Sequence, residues 1–278
     1  MKRRIALLLT LSLTMALPTC VMAADAKADT ETEAAGNVAD NTEAADAGTA
    51  ADNDADAEPD VKSEGVMTYE EYMAAELDSE VVVETYVQAK QSWWEDKATL
   101  YTQDKDGAYF VYNAACSEED YEKLVPGTKI KVTGFKAEWS GEIEIMDATF
   151  EIQEGEYVAP ITDVTDLLGT DDLIQHQNQY VSFKGMTVEA AGQDEEGNDV
   201  AYLYNYDGSG QEGDDLYFNV SLNGETYTFT VESYLCDSSS DVYAAVKGLE
   251  IGDKIDMEGF LYWYEGVNPH ITSVTEAK

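Results

Sequence analysis

From Val66 onward, apolar and polar residues alternate in short runs separated by turn-forming residues. A period of two puts successive side chains on opposite faces of an extended chain, so these runs predict strands rather than helices. Residues 81–89 form a β-branched run. Runs 98–103 and 108–114 flank Asp104-Lys105-Asp106-Gly107, a turn signal that makes them a hairpin. Ser117-Glu118-Glu119-Asp120 has the spacing of a capping box and opens a short helix to Leu124. Gly127 leads into 129–133, with Ile130 and Val132 facing inward and the lysines outward. Glu142-Ile143-Glu144-Ile145 alternates as a last strand.

The pattern then repeats. Residues 124–135, LVPGTKIKVTGF, align without a gap on 249–260, LEIGDKIDMEGF, and the register holds through Trp139-Ser140-Gly141 and Tyr264-Glu265-Gly266. Glycines recurring at one offset with apolar alternation between them indicate two copies of one module. In the second copy 180–188 is the first strand. Leu216, Phe218, Val220 and Leu222 run up to Asn223-Gly224, a strong hairpin signal, and Tyr227, Phe229 and Val231 run back. Residues 238–241 cap a helix carrying 242–246. Residues 190–215 are an enlarged loop with an extra strand around 201–206, and 162–174 are predicted as a connecting helix.

The order strand-strand-strand-helix-strand-strand resembles the OB-fold over about 78–152 and 176–275. The expected class is therefore mainly β: two tandem OB-fold-like five-stranded barrels, each with a short helix between strands three and four, the second with an inserted hairpin. Exported bacterial proteins with tandem OB-like modules look similar, without one characterised family. The resemblance implies oligonucleotide or oligosaccharide binding through strands two and three and the loops joining strands one–two and four–five.

The N-terminus changes the picture of compartment. Met1-Lys2-Arg3-Arg4, an apolar run over 5–17 and Val21-Met22-Ala23 read as a secretory signal peptide, 1–23. Cys20 offers the alternative of a lipid anchor, and no other run suggests a transmembrane segment. Residues 24–65 are Ala, Asp, Glu, Thr and Asn with almost no large apolar side chain, the composition of a disordered acidic linker. The first domain is then 66–156 and the second 157–278, in a secreted or wall-associated protein. Sixteen Lys and Arg stand against 57 Asp and Glu, a formal net charge of −41, and both arginines lie in the leader. On that balance nucleic acid is disfavoured as a partner, because binding it requires neutralising phosphates. Cys116 and Cys236 fall at matching places and read either as two buried thiols or as an inter-module disulfide.

Candidate chemistry is aromatic. Trp93 and Trp94 lie in the first strand-one–two loop with Glu95 and Asp96, and Trp139 with Glu138 in the strand-four–five loop. If the barrel closes, these loops meet, Tyr101 projects between them, and Trp263 and Tyr264 occupy the equivalent loop of the second copy. Such rings stack on ligands while the carboxylates accept hydrogen bonds. The alternative for each tryptophan is that it folds back and plugs the barrel end. Tyr202, Tyr204 and Tyr206 share one face of the inserted strand. Asp52, Asp54 and Asp56 begin like a calcium loop, but Ala57 and Ser63 stand where that loop needs Gly and Glu. The acidic loops 192–199 and 208–215 allow at most weak calcium binding, and no other cofactor or metal is expected. No catalytic motif is present, and His176 and His270 have no partner motif. The leading expectation is a non-catalytic binding protein for an extracellular or cell-wall glycan or protein. The alternatives are a self-associating structural adaptor and an OB-fold binder of single-stranded nucleic acid; oligomeric state stays open.

Overall fold

The computed structural model describes residues 60–277. The expected signal peptide, the expected linker up to residue 59 and the Asp52–Asp56 motif lie outside the described residues. Helix α1 (Tyr69–Ala74) precedes β1 (Glu80–Lys90), β2 (Lys97–Gln103) and β3 (Ala108–Ala115). Helix α2 (Glu118–Lys123) then leads to β4 (Thr128–Trp139) and β5 (Glu142–Glu156). The five strands close a barrel in the order β1-β2-β3-β5-β4, with β3 and β5 parallel. Asp104 makes the β2–β3 turn by accepting from the amides of Asp106 and Gly107, both at 2.8 Å. Ser117 caps α2, accepting from the Asp120 amide at 3.1 Å.

The second half contains β6 (Thr162–Asp163), β7 (Tyr180–Glu189), a small hairpin of β8 (Gly192–Gln193) and β9 (Asp199–Val200), and β10 (Tyr202–Tyr204). There follow β11 (Leu216–Leu222), β12 (Glu225–Val231), α3 (Asp241–Lys247), β13 (Lys254–Phe260) and β14 (His270–Glu276). A β7–β11 pairing closes β7-β11-β12-β14-β13 into a barrel with the same strand order as the first. The fold is thus mainly β, two tandem five-strand barrels of OB type. The connecting segment departs from expectation. Instead of a helix over 162–174 it holds β6, paired parallel to β7, and two 3-10 turns, Thr165–Leu167 and Asp171–His176. Asp163 binds both the amide and the hydroxyl of Thr165, fixing a local turn, and Gly169 at φ +78° lies outside helical space.

Each barrel has its own core. Val83, Leu100, Val111, Ile130, Val132 and Ile145 fill the first; Phe183, Phe218, Phe229, Val220, Ile255 and Tyr243 fill the second. Helix α1, not foreseen from the pattern, covers the first core with Tyr72, which is buried among Tyr69 and Tyr109. Its start is a reciprocal Thr68–Glu71 capping box, and Lys136 donates to the carbonyls of Tyr72, Met73 and Ala75 at its end. The repeated glycine of the fourth strand has a steric cause. A Cβ on Gly134 would stand 2.7 Å from Ile145 Cγ2 and 2.8 Å from the Met146 carbonyl, and one on Gly259 would collide with the His270 carbonyl. Both sit at a bulge where strands four and five cross closely.

Gly134→Ala should therefore destabilise the protein by about 1–3 kcal/mol, the usual cost of overpacking. Urea unfolding checks it: an unchanged midpoint would mean that β4 and β5 separate freely at this point.

Candidate functional site

The outer face of β2–β3 does not open to water; the second barrel covers it. Tyr101 is fully buried there, its ring stacked on Phe260 at 4.5 Å and its hydroxyl 2.6 Å from Nδ1 of His270. Phe110 lies edge-on to Tyr262 at 5.3 Å, and Tyr262 stacks on His270 at 4.3 Å. Polar contacts fix the register of the two barrels. Gln103 accepts from the Tyr180 amide at 2.9 Å, and the Ser92 amide donates to the Tyr234 carbonyl at 2.7 Å. The β4–β5 turn is gripped separately: Gln177 and Asn178 donate to the carbonyls of Gly141 and Ile143, the Glu265 amide to that of Ser140, and the Trp263 amide to the Glu142 carboxylate at 2.9 Å. Trp263 packs so closely on Gly141 that a Cβ there would lie 2.8 Å from its Cδ1.

Along one side of this junction runs a groove of about 500 Å³. The first barrel supplies Gln91, Ser92 and Trp94 from the β1–β2 loop, with Lys97, Thr99, Phe110, Tyr112 and Asn113 from the hairpin. The second supplies Glu232, Tyr234, Tyr262 and His270. Trp94 and Tyr234 are 69 % and 65 % exposed, and Tyr112 is also exposed. A second hollow of about 470 Å³, beside α3 and β13–β14, has no aromatic lining. The inter-barrel groove is the better candidate because apolar walls with few polar groups are what small-ligand sites share.

The expected aromatic platform is only partly assembled. Trp94 stands on the groove lip. Trp93 turns back, half-buried, and its indole N–H donates to the Cys116 carbonyl at 2.9 Å. Glu95 and Asp96 are exposed in the turn that follows. Tyr101, expected to project between the loops, is instead buried in the junction, because its strand face is the one the second barrel covers. Trp139 and Glu138 are exposed on the β4–β5 turn but do not line the groove. Trp263 is half-buried on Gly141, with Tyr264 exposed next to it. The three first-copy tryptophans therefore do not converge. Tyr112, Tyr234, Tyr262 and Glu232 were not singled out from the sequence. The signal available was that the outward positions of β2 and β3 include the large rings of Tyr101, Phe110 and Tyr112.

Of the inserted-strand tyrosines, Tyr202 and Tyr204 pack on the second core and Tyr206 stays exposed. Cys116 and Cys236 are free thiols, each pushed up to about 11 by burial. His176 is partly exposed and meets Gln179 Oε1 at 2.9 Å. Among the described residues no group of three or more His, Cys, Asp or Glu side chains is placed to hold a metal ion, and no helix is long and apolar enough to cross a membrane.

Three buried groups carry unusual proton affinities. Burial pushes Glu142 up to about 8, against the opposing pull of the Asn178, Trp263 and Gln177 donors. Burial and then the nearby Asp215 charge push Glu232 up to about 7, while the amides of Tyr234 and Leu235 and the side chain of Gln91 act the other way. Burial lowers His270 to about 3, so its ring is neutral and accepts or donates according to tautomer.

No family model matches the chain, and no curated protein does. Solved structures share its barrel course. A murine DNA-binding protein bound with double-stranded DNA is 13 % identical at TM-score 0.34, covering 71 % of this chain and 96 % of that one. The Ifi202 HINa domain in complex with a 20-base-pair duplex is 12 % identical at 0.31, covering 72 % and 100 %. A replication protein A heterotrimer bound to single-stranded DNA is 11 % identical at 0.29, covering 70 % and 49 %. Such values concern the fold alone. The expectation that disfavoured nucleic acid on net charge is withdrawn, and with it the assignment to an extracellular glycan or protein. The physical reason is screening. Exposed charges interact over about 8–10 Å at ordinary salt, so a sum over the whole chain does not decide a local contact. What stands is the scaffold, two five-strand barrels of OB type.

A carboxyl whose folded pKa lies above its ordinary 4.5 contributes stability that is complete below 4.5 and is lost as pH rises through the folded value. Glu142→Gln keeps an oxygen acceptor for the Trp263 amide but cannot ionise. The variant should match the wild type near pH 5 and exceed its Tm by roughly 5 °C or more at pH 8.5, each kcal/mol moving such a chain by about 2–4 °C. A difference independent of pH would contradict the burial of this carboxyl.

Proposed function

We propose that this chain is an exported, non-catalytic binding protein whose ligand lies in the inter-barrel groove, against the rings of Trp94, Tyr112 and Tyr234. One observation carries the reading: large aromatic rings stand in water around a concavity, where each would gain by covering an apolar face. The groove also sits at the edge of the strand-two–three surface and the strand-one–two loop, the part of an OB barrel that binds in other proteins of this architecture. Its walls come from both modules and are held together by the Ser92–Tyr234 and Tyr101–His270 contacts, so little ordering cost falls on binding. A binding role suits the chemistry present. Glu232 is the one carboxyl in the lining and His270 is a covered, neutral ring, whereas glycoside hydrolysis needs a pair of carboxyls flanking the scissile bond.

The test is tryptophan emission during titration with benzamide, benzyltrimethylammonium, benzoate and an oligothymidylate. At least one should change the emission, and the change should vanish in Trp94→Ala while persisting in Trp139→Ala. Silence towards all four probes, or a response that survives in Trp94→Ala and Tyr234→Ala, would place the binding surface elsewhere.

A further inference from the structure

Glu232 is the carboxyl of the groove. It follows β12 directly, is 8 % exposed, and lines the groove together with Tyr234. Its Oε1 accepts from the Tyr234 amide at 3.2 Å, but Oε2 is buried without a hydrogen-bond partner among the described residues. An unpaired carboxylate removed from water is costly and is retained where something supplies the missing donor. No cation of the described residues pairs with it: their ion pairs lie elsewhere, and Lys97, in the lining, is exposed. The other groups facing it are Asp215, of like charge, the Gln91 side chain, and the neutral Tyr101, Tyr217, Tyr262, Cys236 and His270.

Taking the groove as the binding site, we propose that its ligand is a small organic ammonium, held with its positive head over the tyrosine and tryptophan faces and its charge opposite Glu232. Two independent features ask for the same sign. Aromatic faces carry negative potential and attract a cation placed over them. One oxygen of the carboxylate behind them has no hydrogen-bond partner among the described residues, and Asp215 adds a second negative charge nearby. A metal ion suits the place poorly, since hard cations require about six oxygens and the remaining lining is rings and amides. A phosphate or carboxylate would meet Glu232 and Asp215 with only Lys97 to offset them. Because burial pushes Glu232 up to about 7, its charged fraction grows across this range and the ammonium should bind more tightly as pH rises from 6 to 8.

Choline and its uncharged isostere 3,3-dimethylbutan-1-ol separate charge from shape. Calorimetric or NMR titration of the full chain at pH 8 should give choline an affinity at least about ten-fold above the alcohol, as expected for a desolvated cation on rings with a carboxylate. Glu232→Gln should remove that margin, leave the alcohol unchanged and abolish the pH dependence. Its own Tm should not fall, since an unpaired buried charge has been removed. Equal binding of choline and the alcohol, or a margin that survives in Glu232→Gln, overturns the ammonium assignment while the groove stands, provided both signals vanish in Trp94→Ala. Binding of benzamide or the oligothymidylate without choline has the same meaning. If none of these probes binds, the ammonium assignment and the groove fall together.

Discussion

The hydroxyl of Tyr101 meets His270 at 2.6 Å where water does not reach, on a ring stacked against Phe260. That contact exists because β2 and β3 carry large side chains on both faces. The inner face fills the first barrel, and the outer face has to find another apolar body. The second barrel supplies it with Phe260, Tyr262 and His270, and the β4–β5 turn is clamped alongside by Gln177, Asn178 and Trp263. Two modules that each close on their own thereby share a third, smaller core. The groove is what remains where this core meets solvent.

Strand positions were legible because they depend on local rules. Alternation and turn chemistry placed the hairpins at Asp104–Gly107 and Asn223–Gly224, and the recurring glycines exposed the duplication. Helix α1 was missed although Thr68 and Glu71 carried its capping signature, because six residues give little periodicity to read. The connection over 162–174 was misread for the opposite reason: its apolar spacing suits a helix, while Asp163 and Gly169 locally forbid one.

The site was legible only in part, and the reason is long range. Alternation in Glu142-Ile143-Glu144-Ile145 suggests isoleucines inside and glutamates in water, yet Glu142 and Glu144 are both buried beneath the second barrel. A single strand records that it has two faces, not what covers each. Trp93 and Trp94 are neighbours with opposite fates, one anchored on Cys116 and one left on the groove lip. Glu232 and Tyr234 gain significance only when residues of the other copy stand opposite them.

Phe135 and Phe260 occupy the same place in the repeat, next to the close-crossing glycine, yet the first is exposed and the second lies in the junction. The two copies therefore meet different surroundings at one repeat position. The glycine beside it is demanded by the backbone of either barrel, whereas the aromatic ring is covered only where a neighbouring module stands against it. Likeness between the halves is for that reason plainest where the main chain itself sets the residue.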